Sequence, residues 1–415
     1  MATIAFFVDF DIGHIFPTFG LASDLVAHKH RVVYFGIPDV EQTVRENGFE
    51  FYPVFADIYP LGYIKKFARK PSGQLADSSL YGMVDHLIQM MQLNVFWPTL
   101  EQICPDLLIT NFFIMLEATI VYYKTRLPQV IFVPFFMGNS LADIVLSHFT
   151  KLSDEIFTLY NFAEQQGFRI TNLRDLLTPI SKFPAIIPCP REFELPDAVE
   201  VKNIQYIEPL IRKPISQQQF HWSAIPPDSK IIFASLGSLA HRDIYDKEKI
   251  RSFFRKMIEM MNSPLAKDWH LILSFGLIEN LEEIESLPSS ITALRWVPQI
   301  EVLQRASLMI THGGLGTIKE CIFYGVPMIV CPMGNDQFIN SKRIIHHKLG
   351  KELDIVSTPI ENILETVDDI MNNQTIQQSV KNMQQVFRRY EDAHLGVKLI
   401  ESILENTKQQ DRNRH

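Results

Sequence analysis

Apolar and polar positions follow two alternating rhythms at the start of the chain. Short apolar runs at residues 4–8, 31–35 and 49–54 are separated by stretches of helical spacing at 18–28 and 40–47. Strand-length runs alternating with helical ones are the pattern of a parallel sheet wound with crossover helices. Further strands are expected at 106–110 and 129–134. Between them, residues 57–98 are rich in Tyr, Phe, Met and Leu, and Met83, Leu87, Met90, Met91 and Leu93 recur at roughly helical spacing. That stripe reads either as core-facing helix or as the wall of an apolar substrate site.

A second strand series begins after a proline-studded stretch running from Pro209 through Pro214 to Pro226 and Pro227. Strands are expected at 230–235, 270–275, 291–296, 308–311 and 328–331, each followed by a helix or turn. The pattern predicts an α/β protein of two tandem doubly wound, Rossmann-like domains. The boundaries are an N-terminal domain at 1–208, a linker at 209–228, a C-terminal domain at 229–395, and a terminal helix and tail at 396–415. The helix carries Val397, Ile400, Ile403 and Leu404 on one stripe, suited to packing back on the N-terminal domain.

Composition narrows the function. The chain has 415 residues, 47% of them hydrophobic, enough for two cores, and its net charge of −8 gives no electrostatic footprint for nucleic acid. Its four cysteines form no C-x-x-C pair, which argues against a zinc site and a disulfide framework. The N-terminus lacks the basic region of a signal peptide, and no run is long enough to span a membrane, so a soluble cytoplasmic protein is expected. Asp9 and Asp11 mimic a metal-binding D-x-D, but at the end of the first strand a structural or His14-supporting role fits better. No metal or other cofactor is expected. The dinucleotide fingerprint G-x-G-x-x-G is absent after the first strand, which disfavours an oxidoreductase.

The sharpest chemistry lies where an apolar strand runs into Thr311-His312-Gly313-Gly314-Leu315-Gly316-Thr317 and then a helix carrying Glu320. Glycines let backbone approach a ligand, and free amides at a helix start suit an anion such as diphosphate. Trp296-Val297-Pro298-Gln299 precedes this turn, and Gly325-Val326-Pro327, Pro332, Asp336-Gln337 and Asn340 follow it. This block resembles the C-terminal signature of the family 1 glycosyltransferases, nucleotide-sugar enzymes of the two-domain GT-B fold, and is most similar to the bacterial macrolide-type branch. Gly13-His14 with Pro17, and Leu236-Gly237-Ser238, extend the resemblance over most of the chain.

The resemblance implies two domains facing across a cleft and assigns roles residue by residue. Trp296 stacks the base, with Val297 beside it. Gln299 meets base or ribose, and Glu320 the ribose hydroxyls. Ser238, His312, Gly314, Gly316 and Thr317 hold the diphosphate, and Asp336 and Gln337 the hexose. Plant members usually carry asparagine where this chain has Gly316, so a thymidine-linked sugar stays open beside a UDP-sugar. His14 is the expected general base, activating a hydroxyl of a small, largely apolar acceptor for inverting, metal-independent transfer. The family orients this base with an aspartate where the chain has Asn111. Three readings follow: Asn111 orients the ring with reduced basicity, Asp11 or Glu117 compensates, or activity is low. In the first, Asn111→Asp should raise the basicity of His14 and either increase turnover or shift its pH profile upward. The alternatives are a silent sugar-nucleotide-binding protein, a nucleotide-sugar epimerase or a lipid-linked sugar transferase. The sequence does not specify the acceptor or the oligomeric state.

Overall fold

The computed structural model describes residues 1–9, 12–64, 85–137, 154–212, 220–237, 246–276, 278 and 287–412. The chain divides into two compact units, the first made of Met1–Pro188, Asp197–Leu210 and Ala393–His415, the second of Cys189–Pro196 and Ile211–Asp392.

Unit 1 is built on a seven-stranded sheet in the order β3-β2-β1-β4-β5-β6-β7. Its strands are β1 Thr3–Phe7, β2 Arg31–Phe35, β3 Glu50–Tyr52, β4 Leu107–Asn111, β5 Gln129–Phe132, β6 Ala185–Ile187 and β7 Ile204–Tyr206. Every pairing is parallel. Helices cover both faces of such a sheet, so its central strands are continuous apolar runs, and Ile4, Ala5, Phe6 and Phe7 of β1 are all buried. Chain order reverses between β1 and β4. Their register pairs Phe7 with Thr110, which sets the exits of the two strands side by side. Helix α1, Ile12–Ala27, follows β1 and starts earlier than its apolar periodicity suggests, carrying Pro17 inside it. Leu87, Met90, Met91 and Leu93 are buried, the core alternative for that stripe; Met83 lies outside the described residues.

Unit 2 repeats the plan with six strands ordered β10-β9-β8-β11-β12-β13. These are β8 Lys230–Ser235, β9 Trp269–Ser274, β10 Ile291–Leu294, β11 Ala306–Thr311, β12 Met328–Val330 and β13 Gly350–Glu352. Here the order reverses between β8 and β11, with Ser235 beside Thr311 at their ends. Within the proline-studded stretch, Phe220 and Trp222 lie against this unit: Glu301 accepts from the Phe220 amide at 3.0 Å and the Trp222 indole at 2.7 Å.

The terminal helix α6, Leu395–Arg412, belongs to unit 1 and buries Val397, Ile400 and Leu404. Its first turn is pinned by Glu208, a fully buried carboxyl accepting from the Gly396 amide at 2.9 Å and 3.2 Å. Among the described residues no helix is long and apolar enough to cross a membrane.

Burial raises the Glu208 pKa above the usual 4.5, partly offset by the Gly396 amide. The folded state therefore holds this proton to higher pH than the unfolded chain does. Stability from this group falls as pH rises from 4.5 through the raised value, then levels off. Glu208→Gln, which keeps an acceptor for Gly396, should flatten that part of the stability–pH curve in urea titrations. An unchanged curve would show that Glu208 does not titrate this way.

Candidate active site

In unit 2, β11 runs through the glycine turn into helix α4, whose neighbours used below are α3, Gln299–Leu303, and α5, Gln337–His346; α4 itself spans Leu315–Tyr324. (Helix α2, Met115–Thr125, belongs to unit 1.) The His312 ring nests between two backbones. A Cβ on Gly237, at the exit of β8, would stand 2.6 Å from His312 Cε1, and one on Gly314 2.8 Å from Nε2. Gly237 also has φ +75°, which a larger residue adopts only with strain. Only glycine at both positions allows this enclosure. Burial pulls the His312 pKa down to about 4, so at neutral pH the ring is uncharged and offers an N–H without a cation. Positive potential at the turn then comes from the free amides of the first turn of α4. A side chain at Gly316 would meet open space, and Thr317 Oγ1 lies 3.5 Å from Gln299 Nε2.

Glu320, one turn into α4, is buried and fully engaged on one side. Arg212 grips it with two bonds of 2.5 and 2.9 Å, and Gln299 donates to Oε2 at 2.5 Å. A carboxylate accepts about four bonds, so one position remains, on Oε1. Trp296, just past β10, is 56% exposed, so more than half of the indole lies outside the core. Val297 beside it is half-buried.

Gln337 is buried, and its Oε1 accepts from the Met333 amide at 2.7 Å and the Gly334 amide at 3.1 Å, fixing the turn before α5. Asp336 accepts from Asn340 at 2.9 Å, and the same Asn340 amide donates to the Gly313 carbonyl at 3.1 Å. Arg343 donates to Asn340 at 3.0 Å and to Glu194 at 2.6 Å. A buried polar chain from Glu194 to Gly313 thus props the glycine turn from behind. Ser238 lies outside the described residues.

In unit 1, His14 sits near the start of α1, beside the exit of β1. Its Nδ1 lies 2.7 Å from Asp9 Oδ2, with the side chains 25% and 8% exposed. The ring stacks on Phe113 with centroids 4.1 Å apart and planes 14° apart. Phe113 in turn packs against Phe112 and Phe135, forming an aromatic wall. Asn111, buried at the end of β4, bonds to two backbone groups. Its amide donates to the His14 backbone carbonyl at 3.2 Å, and its oxygen accepts from the Phe113 amide at 3.3 Å, capping the short turn Phe112–Ile114. The carboxylate at His14 Nδ1, that of Asp9, comes from the exit of β1. Glu117, on α2, is committed to His86 Nε2 at 2.8 Å, whose Nδ1 lies 2.8 Å from the Tyr59 hydroxyl. Asp11 lies outside the described residues.

Residues 259–388 match the model of the erythromycin biosynthesis protein CIII-like C-terminal domain. The chain is 23% identical over 399 residues to the NDP-glycosyltransferase YjiC of Bacillus subtilis, covering 95% of each chain. A second B. subtilis relative, the uncharacterized UDP-glucosyltransferase YojK, is 28% identical over 204 residues, 49% of this chain and 47% of that one. Among solved structures, the kitacinnamycin glycosyltransferase superposes with a TM-score of 0.77 at 23% identity, covering 97% and 98% of the two chains. The calicheamicin glycosyltransferase CalG4 gives 0.74 at 18% identity, covering 98% of each. The chain has the GT-B fold and is similar to the family 1 glycosyltransferases.

The structure gathers Gln299, His312, Gly314, Thr317 and Glu320 around one strand exit. Arg212, Glu194 and Arg343 were not foreseen, since each lies outside the motif block and meets it only through folding. Phe113 carried no signal beyond its place two residues after Asn111. Among the described residues no cluster of three or more His, Cys, Asp or Glu is arranged to hold a metal ion.

The enclosure of His312 makes a direct prediction. In ¹⁵N-histidine NMR of the free protein, the His312 ring should stay neutral until the pH approaches about 4. Titration near the ordinary histidine value of about 6.5 would show the ring is not enclosed.

Proposed function

We propose that this protein moves a hexose from a nucleoside diphosphate sugar to a hydroxyl of a small, largely apolar acceptor, in one inverting displacement. The observation that carries this reading is His14, held against a carboxylate and an aromatic face beside the β1 and β4 exits. A part-exposed imidazole in an apolar wall suits a base acting on a hydroxyl whose neighbours are apolar. As the acceptor oxygen bonds to the anomeric carbon, its proton passes to His14, and the bond to the diphosphate breaks. The leaving diphosphate takes the electron pair and is met by the α4 amides, the neutral His312 N–H and the Thr317 hydroxyl. With Nδ1 directed at Asp9, the proton goes to Nε2. This scheme asks for no metal.

Trp296 offers its exposed face to the base, and Glu320 with Gln299 stands where ribose hydroxyls would bind. Asp336 and Gln337 lie at the hexose end, where Gln337 shapes the turn with its oxygen and Asp336 is steadied by Asn340. The relatives support a nucleoside diphosphate donor: the name of YjiC says NDP, and the solved VinC and SpnG structures hold dTDP and thymidine diphosphate. A silent binding protein would follow from a His14 without a carboxylate beside it, and Asp9 stands 2.7 Å from its Nδ1.

The test is mass spectrometry of purified protein given UDP-glucose or dTDP-glucose and a panel of flavonoid, macrolide and sterol alcohols. One added hexose on an acceptor is expected; donor binding without any product would restore the silent reading. For the donor site, Trp296→Ala should weaken UDP binding by tenfold or more, about 1.4 kcal/mol of lost stacking. Gly314→Ala, by displacing His312, should do likewise. Calorimetry showing full affinity in both variants would remove this surface as the donor site.

A further inference from the structure

We propose that Asp9 is the positioning residue for His14, and that Asn111 acts as a backbone clip joining His14 to its aromatic platform. This rests on the reading of His14 as the base. The carboxylate lies 2.7 Å from Nδ1 and is only 8% exposed, so water competes little for it. An ionised carboxylate only accepts, which fixes the proton on Nδ1 and leaves Nε2 as the proton-accepting nitrogen. Phe113 sets the plane of the ring by stacking at 4.1 Å. Asn111 holds both parts at once, through the His14 carbonyl and the Phe113 amide.

The roles follow from the sheet. Because β1 and β4 lie side by side, an acid at either exit can reach the start of α1, and here the exit of β1 provides it. The exit of β4 is then available for a residue that donates as well as accepts, and asparagine does both. Aspartate cannot donate to the His14 carbonyl, so Asn111→Asp would set a carboxylate against a carbonyl oxygen. The gain in turnover that the sequence alone allows is therefore reversed.

The experiment pairs kinetics with ¹⁵N-histidine NMR on the full chain. In the wild-type protein His14 should be the Nδ1–H tautomer. Asp9→Asn should cut kcat by about 10²- to 10⁴-fold, with acceptor KM and UDP affinity changed by no more than about twofold. It should also shift the tautomer balance towards Nε2–H, and Asp9→Glu should recover part of kcat. Asn111→Asp should lower turnover. Wild-type turnover in Asp9→Asn, a wild-type His14 held as Nε2–H, or a gain in Asn111→Asp would each overturn the proposal. If Asp9→Asn does not fold, the wild-type tautomer still decides. His14→Ala separates the two readings: retained turnover there removes the base, while the tautomer measurement judges Asp9 independently.

Discussion

The hydrogen-bonded register of two parallel strands that run side by side yet are far apart in sequence is the constraint on which the rest depends. In unit 1 the pair is β1 and β4, in unit 2 β8 and β11, and at each the chain order of the sheet reverses. Helices leave such neighbours in opposite directions and open a crevice at the strand exits. The apolar strands that satisfy this register also fill the core, so the positions of Asp9, His14 and Asn111, and of Gly237 and His312, follow from burial in the sheet. Neither group depends on a long loop for its place.

The same geometry serves two histidines in opposite ways. His312 is enclosed by glycine backbones, and burial holds it neutral. It suits a group that donates a hydrogen bond to an anion already facing helix amides. His14 is part-exposed and rests on a buried carboxylate, the setting for a ring that must gain a proton and lose it again. The difference lies in what each neighbouring strand exit provides: a glycine at the end of β8, and a bifunctional amide at the end of β4.

Much of this was legible in the sequence because strand-length apolar runs are hard to mistake when both faces are buried. The runs at 31–35 and 230–235 coincide with β2 and β8. The three-residue strands β6, β7 and β13 escaped notice, since so short a segment shows no periodicity, and β13 carries Lys351 and Glu352. The early start of α1 was hidden by Pro17, which ordinarily marks a helix boundary. In the site, the residue types in the motif block were readable, but their partners were not. Arg212 reaches Glu320 from 108 positions away, and Glu194 reaches Arg343 from 149. Asn111 was visible as a departure, but only its two backbone partners reveal why an amide stands there.

The proposed transfer takes the acceptor proton to His14 and forms no glycosyl–enzyme bond. Transfer by a single displacement must invert the anomeric centre. The most direct measurement is proton NMR of the product formed from an α-linked nucleoside diphosphate glucose, read from the coupling of its anomeric proton. A β-glucoside is the predicted product; an α-glucoside would contradict the account, because it requires either a covalent intermediate or attack from the face of the departing diphosphate.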